Sequence, residues 1–116
     1  MYQVKVTPRC PIRTTLELLG GKWKLLILSQ LRAEALRTSE LKRLIPDISE
    51  KMLIQELKFL SDSHLVSRKS FGEVPPRVEY SLTEKGRNSL PLIEEMVVFA
   101  EKYEAKTNGS ISLDNK

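Results

Sequence analysis

Apolar positions in this chain recur at two periods, one helical and one strand-like, and the order in which they alternate implies the architecture. After Cys10-Pro11, the residues Ile12, Leu16 and Leu19 recur at helical spacing. Pro11 is comfortable at a first helical position, where its missing N–H costs nothing. Gly20-Gly21 stops that helix. A second helix is expected from about Lys22. There Trp23, Leu25-Leu26-Ile27-Leu28 and Leu31 are apolar nearly all round, the pattern of a helix enclosed by neighbours. Trp23 is read as a core or interface anchor.

Ala35-Leu36-Arg37 reads as a short extended stretch leading to an N-cap at Thr38-Ser39 and a helix Glu40–Leu44, with Leu41, Leu44 and Ile45 inward. Pro46-Asp47 forces a turn, because a proline disfavours helical geometry at the residue before it. Ser49 then caps a helix Ser49–Ser61, with Glu50 favourably placed at the positive end of its dipole. On that helix Leu53, Leu57 and Leu60 share one side, and Lys51, Gln55 and Lys58 share the other. Two cations and an amide on the outer face of the second helix of such a pair suit a DNA major groove. Gln pairs with adenine edges, and Lys reaches guanine or phosphate oxygens. An ordinary solvated face is an equal reading of this helix taken alone.

The period then changes. Leu65–Lys69 and Arg77–Leu82 alternate or run apolar like strands, separated by the turn-rich Ser70-Phe71-Gly72-Glu73-Val74-Pro75-Pro76. The expected product is a β-hairpin directly after the candidate recognition helix, offering Lys69 and Arg77 to a flanking groove or phosphate chain. Thr83 is expected to cap a final long helix, which Pro91 should kink or divide. Its stripe of Leu90, Ile93, Met96-Val97, Ala100 and Tyr103 could pack on a second copy of the chain or back onto Trp23. The fold class is therefore mainly α with a small β-hairpin wing (α+β), a winged helix-turn-helix. Residues 1–9 form an N-terminal arm, 10–105 the domain with terminal dimerisation helices, and 106–116 a tail expected to be disordered.

Composition narrows the function. A chain of 116 residues holds one domain with a modest core. No apolar run reaches the roughly 18 residues of a membrane span, and the first residues lack the apolar core of a secretory signal. A cytoplasmic protein is the expectation, and a lone Cys10 fits a reducing compartment. Residues 1–80 carry 14 Lys/Arg against 9 Asp/Glu, while residues 81–116 carry 5 against 6. The net positive charge thus sits on the helix-turn-helix and wing, as polyanion binding favours.

Several motifs in order resemble those of the HxlR-type, MarR-like winged-helix transcriptional regulators. These are Cys10-Pro11, Leu19-Gly20-Gly21-Lys22-Trp23-Lys24, Ser39-Glu40-Leu41, Ile48-Ser49-Glu50-Lys51-Met52-Leu53, Val74-Pro75-Pro76-Arg77-Val78-Glu79-Tyr80 and Leu82-Thr83-Glu84-Lys85-Gly86. The resemblance implies a homodimer built from the terminal helices on a palindromic or near-palindromic operator in double-stranded DNA. It places the helix at Ser49–Ser61 in the major groove and the wing around Glu73–Arg77 on the flank. Thr38, Ser39, Ser49, Lys51, Ile54, Gln55, Lys58, Lys69 and Arg77 form the candidate DNA-binding set. Among them Lys51, Lys58, Lys69 and Arg77 are assigned to phosphates, and Gln55 with Ser49 or Ile54 to bases. Several positions depart from the family pattern, among them Phe99 where a Trp is often seen. Ile54 stands for a common Thr and Lys58 for a usual Arg. Ser63-His64 replaces an acidic-Gly turn, so His64 should adopt a positive φ.

Cys10 precedes a helix start with Arg9 and Arg13 nearby, a setting that favours the thiolate. Some members of the resembled family sense oxidants or electrophiles through a cysteine at this Cys-Pro position, and an inert, half-buried thiol is the competing reading. One His and one Cys far apart, with no phosphate loop, paired-carboxylate site or zinc spacing, argue against an enzyme and against a metal or cofactor. The other class that remains is a winged-helix module that binds a protein partner, docking on Ile54 and Phe59.

Overall fold

The computed structural model describes residues 3–106. The elements follow in the order α1 (Pro11–Leu19), α2 (Lys24–Gln30), α3 (Thr38–Leu44), α4 (Glu50–Asp62), β1 (Val66–Ser70), β2 (Val78–Leu82), α5 (Glu84–Arg87) and α6 (Leu90–Lys106). The fold is a mainly helical α+β winged helix-turn-helix. Its core is built from α2, α3, α4 and the root of the hairpin: Ile27, Leu28, Leu31, Leu41, Ile48, Leu53, Leu57 and Leu60 are all buried. Trp23, Tyr80, Leu90 and Ile93 pack on its edge, partly buried.

Local chemistry accounts for most boundaries. Pro11 occupies the first turn of α1, and the Gly20 N–H closes the helix on the Leu16 carbonyl at 2.7 Å. Gly21 then turns the chain at φ 99°, a region open to glycine and strained for other residues. Met52 N–H donates to Ser49 Oγ at 3.0 Å, capping α4. His64 turns the chain out of α4 at φ 63°, as the departure from an acidic-Gly turn requires. Thr83 Oγ1 donates to the His64 carbonyl at 2.6 Å and accepts the Gly86 N–H at 3.0 Å. One hydroxyl thereby pins α5 to the turn that follows α4. Gly86 is buried, and a Cβ there would overlap the Leu65 carbonyl oxygen.

The hairpin is antiparallel, with Val66 opposite Leu82, Arg68 opposite Tyr80 and Ser70 opposite Val78. Leu36 adds one further rung: its N–H donates to the Tyr80 carbonyl at 2.9 Å and its carbonyl accepts the Tyr80 N–H at 2.8 Å. The extended stretch before α3 is thus fastened to the wing.

Four expectations need correction. Helix α3 starts at Thr38, and its N-cap is Arg37, not Thr38 or Ser39. The reason is Glu40, whose carboxylate accepts the Arg37 N–H at 2.8 Å and draws the first turn two residues back. An arginine side chain has no acceptor to complete the reciprocal bond. Leu44 lies 51% exposed, because α3 turns only Leu41 fully inward and leaves Ile45 to close the core. Helix α2 is not enclosed all round, since Leu26 is exposed. Thr83 caps the short α5 rather than the long final helix. The division falls at Asn88-Ser89, where Ser89 Oγ donates to the Gly86 carbonyl at 2.7 Å, and Pro91 sits in the first turn of α6. The expected tail lies outside the described residues from residue 107 onward, and Lys106 closes α6.

Candidate nucleic-acid interface

Helix α4 presents one continuous exposed strip. Lys51, Ile54, Gln55 and Lys58 are all exposed, and they span an arc of about 100° at helical periodicity. Leu53, Leu57 and Leu60 fill the opposite side and are buried to 1% exposure or less. The core therefore fixes which face of α4 is turned outward. Ser49 lies at its start with Oγ held by the Met52 N–H, so its hydroxyl serves first as a cap. Lys58 Nζ lies 3.0 Å from Asp62 Oδ2 in a pair open to solvent on both sides.

Thr38 and Ser39 are brought to the same end of the molecule. With Lys42 and Glu50 they line a cleft of about 380 Å³ between the starts of α3 and α4. Lys42 Nζ donates to the Pro46 carbonyl at 3.0 Å and holds the turn between the two helices.

The wing carries a cluster that reading along the chain missed. Phe71 is a platform: the Arg77 guanidinium stands 4.0 Å from its ring centre and Lys69 Nζ 5.1 Å. Arg77 is also paired with Glu73 at 3.1 Å and with Glu79 at 3.6 Å, and its side chain is 33% exposed. Of the two candidate wing cations Lys69 is the more open, being exposed on β1 opposite Glu79. Both cations belong to the tip half of the hairpin, away from its root on α4. Only the strand register discloses the Lys69–Glu79 juxtaposition. Glu73 and Arg77 are four residues apart across a turn, a spacing with no fixed meaning outside a helix.

Cys10 is not part of this strip. It is the N-cap of α1 and 5% exposed. Hydrogen bonding from the backbone, chiefly at Arg13 and then at Thr7, lowers its thiol pKa from the ordinary value of 9.0. Among the described residues no group of His, Cys, Asp and Glu has the makings of a metal site, and no helix is long and apolar enough to cross a membrane.

A tightly capped helix with a polar outer strip, followed at once by a hairpin with clustered cations, narrows the choice of families. The model of the HxlR-like helix-turn-helix family matches residues 18–108. This chain belongs to that family. Among its relatives, the uncharacterized HTH-type transcriptional regulator YkvN of Bacillus subtilis (strain 168) is 50% identical over 94 residues, covering 81% of this chain and 80% of YkvN. Among solved structures, a transcriptional regulator assigned to the MarR family from Porphyromonas gingivalis W83 is 49% identical with a TM-score of 0.80, covering 84% of this chain and 95% of its own. The redox regulator HypR in its oxidized form is 38% identical with a TM-score of 0.76, covering 80% and 96% respectively. The HxlR-like chain is accordingly a transcriptional regulator of helix-turn-helix type, and the family and its relatives are regulators rather than enzymes.

Proposed function

We propose that this HxlR-like protein is a cytoplasmic homodimer that binds a palindromic or near-palindromic operator in double-stranded DNA. The observation that carries the reading is the strip on α4, polar except for Ile54, held rigidly by three buried leucines and followed directly by the hairpin. In this reading α4 enters the major groove. Gln55 reads a base edge, Ile54 meets a thymine methyl, and Lys51 and Lys58 hold phosphates. Thr38 and Ser39 approach the backbone from the start of α3, with Ser49 beside them at the start of α4. Lys69 and Arg77 hold the flank.

The second copy is supported by apolar surface that one chain leaves open. Ile12 and Leu16 on α1 and Met96, Val97 and Phe99 on α6 are exposed. A groove of about 510 Å³ runs between α2 and α6, lined by Leu25, Leu26, Ile93, Met96, Val97 and Ala100. The first half of the α6 stripe, Leu90 and Ile93, packs on its own core, while Met96 and Val97 further along stay half-exposed at that groove. Half-sites roughly 34–36 Å apart would place both α4 helices on one side of the duplex.

Regulation is assigned to Cys10, whose backbone hydrogen bonds favour the reactive thiolate and whose helix borders the open apolar face. Similarity to a redox regulator supports the same assignment. Oxidation or alkylation there would shift α1 and, with it, the spacing of the two α4 helices. Selection of bound fragments from genomic DNA, with and without diamide, tests the whole reading. A shared inverted repeat and a response lost in Cys10→Ser are the expected results. No enrichment over random duplex would refute the operator, and an equal response of both proteins would refute the sensor.

A further inference from the structure

Helix α2 begins with a lysine in the wrong place for a helix. Lys24 is its first residue, and its first turn has no acidic side chain, so the ammonium faces the positive end of the dipole. The side chain is also largely enclosed, with 16% of it exposed. What offsets both costs comes from α4: Glu56 Oε1 lies 2.8 Å from Lys24 Nζ, and its own side chain is 14% exposed. That oxygen has no well-aligned hydrogen bond, so the contact is Coulombic attraction rather than a directed bond. Lys24 Nζ also stands 4.6 Å from the centre of the Phe59 ring.

Burying such a pair is a poor way to gain stability, since apolar residues of similar size commonly serve as well or better. Its worth lies in where it sits. Glu56 and Phe59 flank Gln55 and Lys58 on the strip. On α2, Leu25 and Leu26 beside Lys24 line the groove shared with α6. Helix α2 thus stands between the open apolar face and the recognition helix, and the pair is a direct side-chain tie between them.

We infer that Lys24 and Glu56 are positioning residues: their ion pair sets the angle of α4 relative to α2, and so the fit of the strip to a particular operator. This rests on the DNA-binding reading above. The test compares the full chain with K24M/E56M, which keeps the net charge, and with K24R, which keeps the cation. The probes are one genomic fragment selected by the wild type and an unrelated duplex of equal length. The double variant should melt within a few degrees of the wild type and bind the unrelated duplex with unchanged affinity and salt slope. Its affinity for the selected fragment should fall about tenfold or more, the scale of losing a base-pair contact. K24R should bind that fragment like the wild type.

Wild-type affinity of K24M/E56M for the selected fragment would overturn the inference. Parallel loss on both duplexes with a shallower salt slope would do so too, by making Lys24 a phosphate contact. A double variant that does not fold would show that the pair holds the fold rather than the angle. A wild type that prefers no duplex removes the DNA-binding reading itself, and this inference with it.

Discussion

Replacing Lys58 by alanine is the sharpest probe of the α4 strip, because its free-state partner is visible and weak. Lys58 and Asp62 form an i,i+4 pair whose side chains are 76% and 66% exposed. A pair so open is worth at most about 0.5 kcal/mol, so a phosphate oxygen displaces Asp62 at little cost. Each phosphate neutralised contributes about 0.9 to the slope of log affinity against log salt. Two copies in a dimer make that about 1.8. Between about 50 and 200 mM salt, a span of about 0.6 log unit, the wild type should lose roughly twelvefold more affinity than Lys58→Ala. Fluorescence anisotropy on a fixed duplex across that range reads the slope directly. Asp62→Asn provides the converse, freeing the same ammonium in both copies: affinity should rise by up to about fivefold with the slope unchanged. Lys102→Ala, on the exposed side of α6, is the control and should leave the slope as it is. If Lys58→Ala lowers affinity equally at every salt concentration, Lys58 touches no phosphate and the assignment of the strip is wrong.

Three further outcomes follow from local geometry. Thr83→Val keeps the shape but loses both bonds of the hydroxyl, to His64 and from Gly86. A cap and a hydrogen bond together are worth about 1–3 kcal/mol, so the melting temperature should fall by roughly 4–12 °C. Calorimetry showing no change would mean the joint between α5 and the α4–β1 turn bears no load. His64→Gly removes a side chain from φ 63° and should stabilise by up to about 1 kcal/mol in urea denaturation; a loss of stability would mean the imidazole makes a compensating contact. The thiol pKa of Cys10 is lowered in the folded chain, so its ionisation contributes stability that is fully present above the unfolded thiol's pKa. That contribution is lost as pH falls through the lowered folded value. A pH profile of iodoacetamide labelling should show a midpoint below that of the denatured chain, and coincident midpoints would refute the shift.

Much of the fold was legible because it rests on local signals. Pro11 and Ser49 mark helix starts, Gly20-Gly21 and Pro46-Asp47 mark stops, and the leucines of α4 recur at one period. Misreadings arose where a distant or competing partner decided the outcome. Glu40 reaching back to Arg37 moved the start of α3, a bond that no propensity of Thr38 or Ser39 announces. Leu26 and Leu44 are apolar yet exposed, because their helices turn other residues to the core. The strip on α4 could be read from periodicity alone. The wing cluster could not, since the meeting of Phe71 with Arg77 and of Lys69 with Glu79 depends on hairpin register. The Lys24–Glu56 pair joins residues 32 positions apart, beyond any pattern within one helix.

If the chain binds an operator as proposed, the rung between Leu36 and Tyr80 bears on how it measures that DNA. Because Leu36, in the extended stretch before α3, and Tyr80 in β2 exchange backbone bonds in both directions, the hairpin is tied to the helical pair. On the proposed DNA-binding reading, the groove-reading and flank-reading parts would travel together as one caliper. Within a half-site the gap between inner and outer contacts should be constant from promoter to promoter. In the proposed dimer, any tolerance in length should fall in the spacer around the two-fold axis, at the joint between copies.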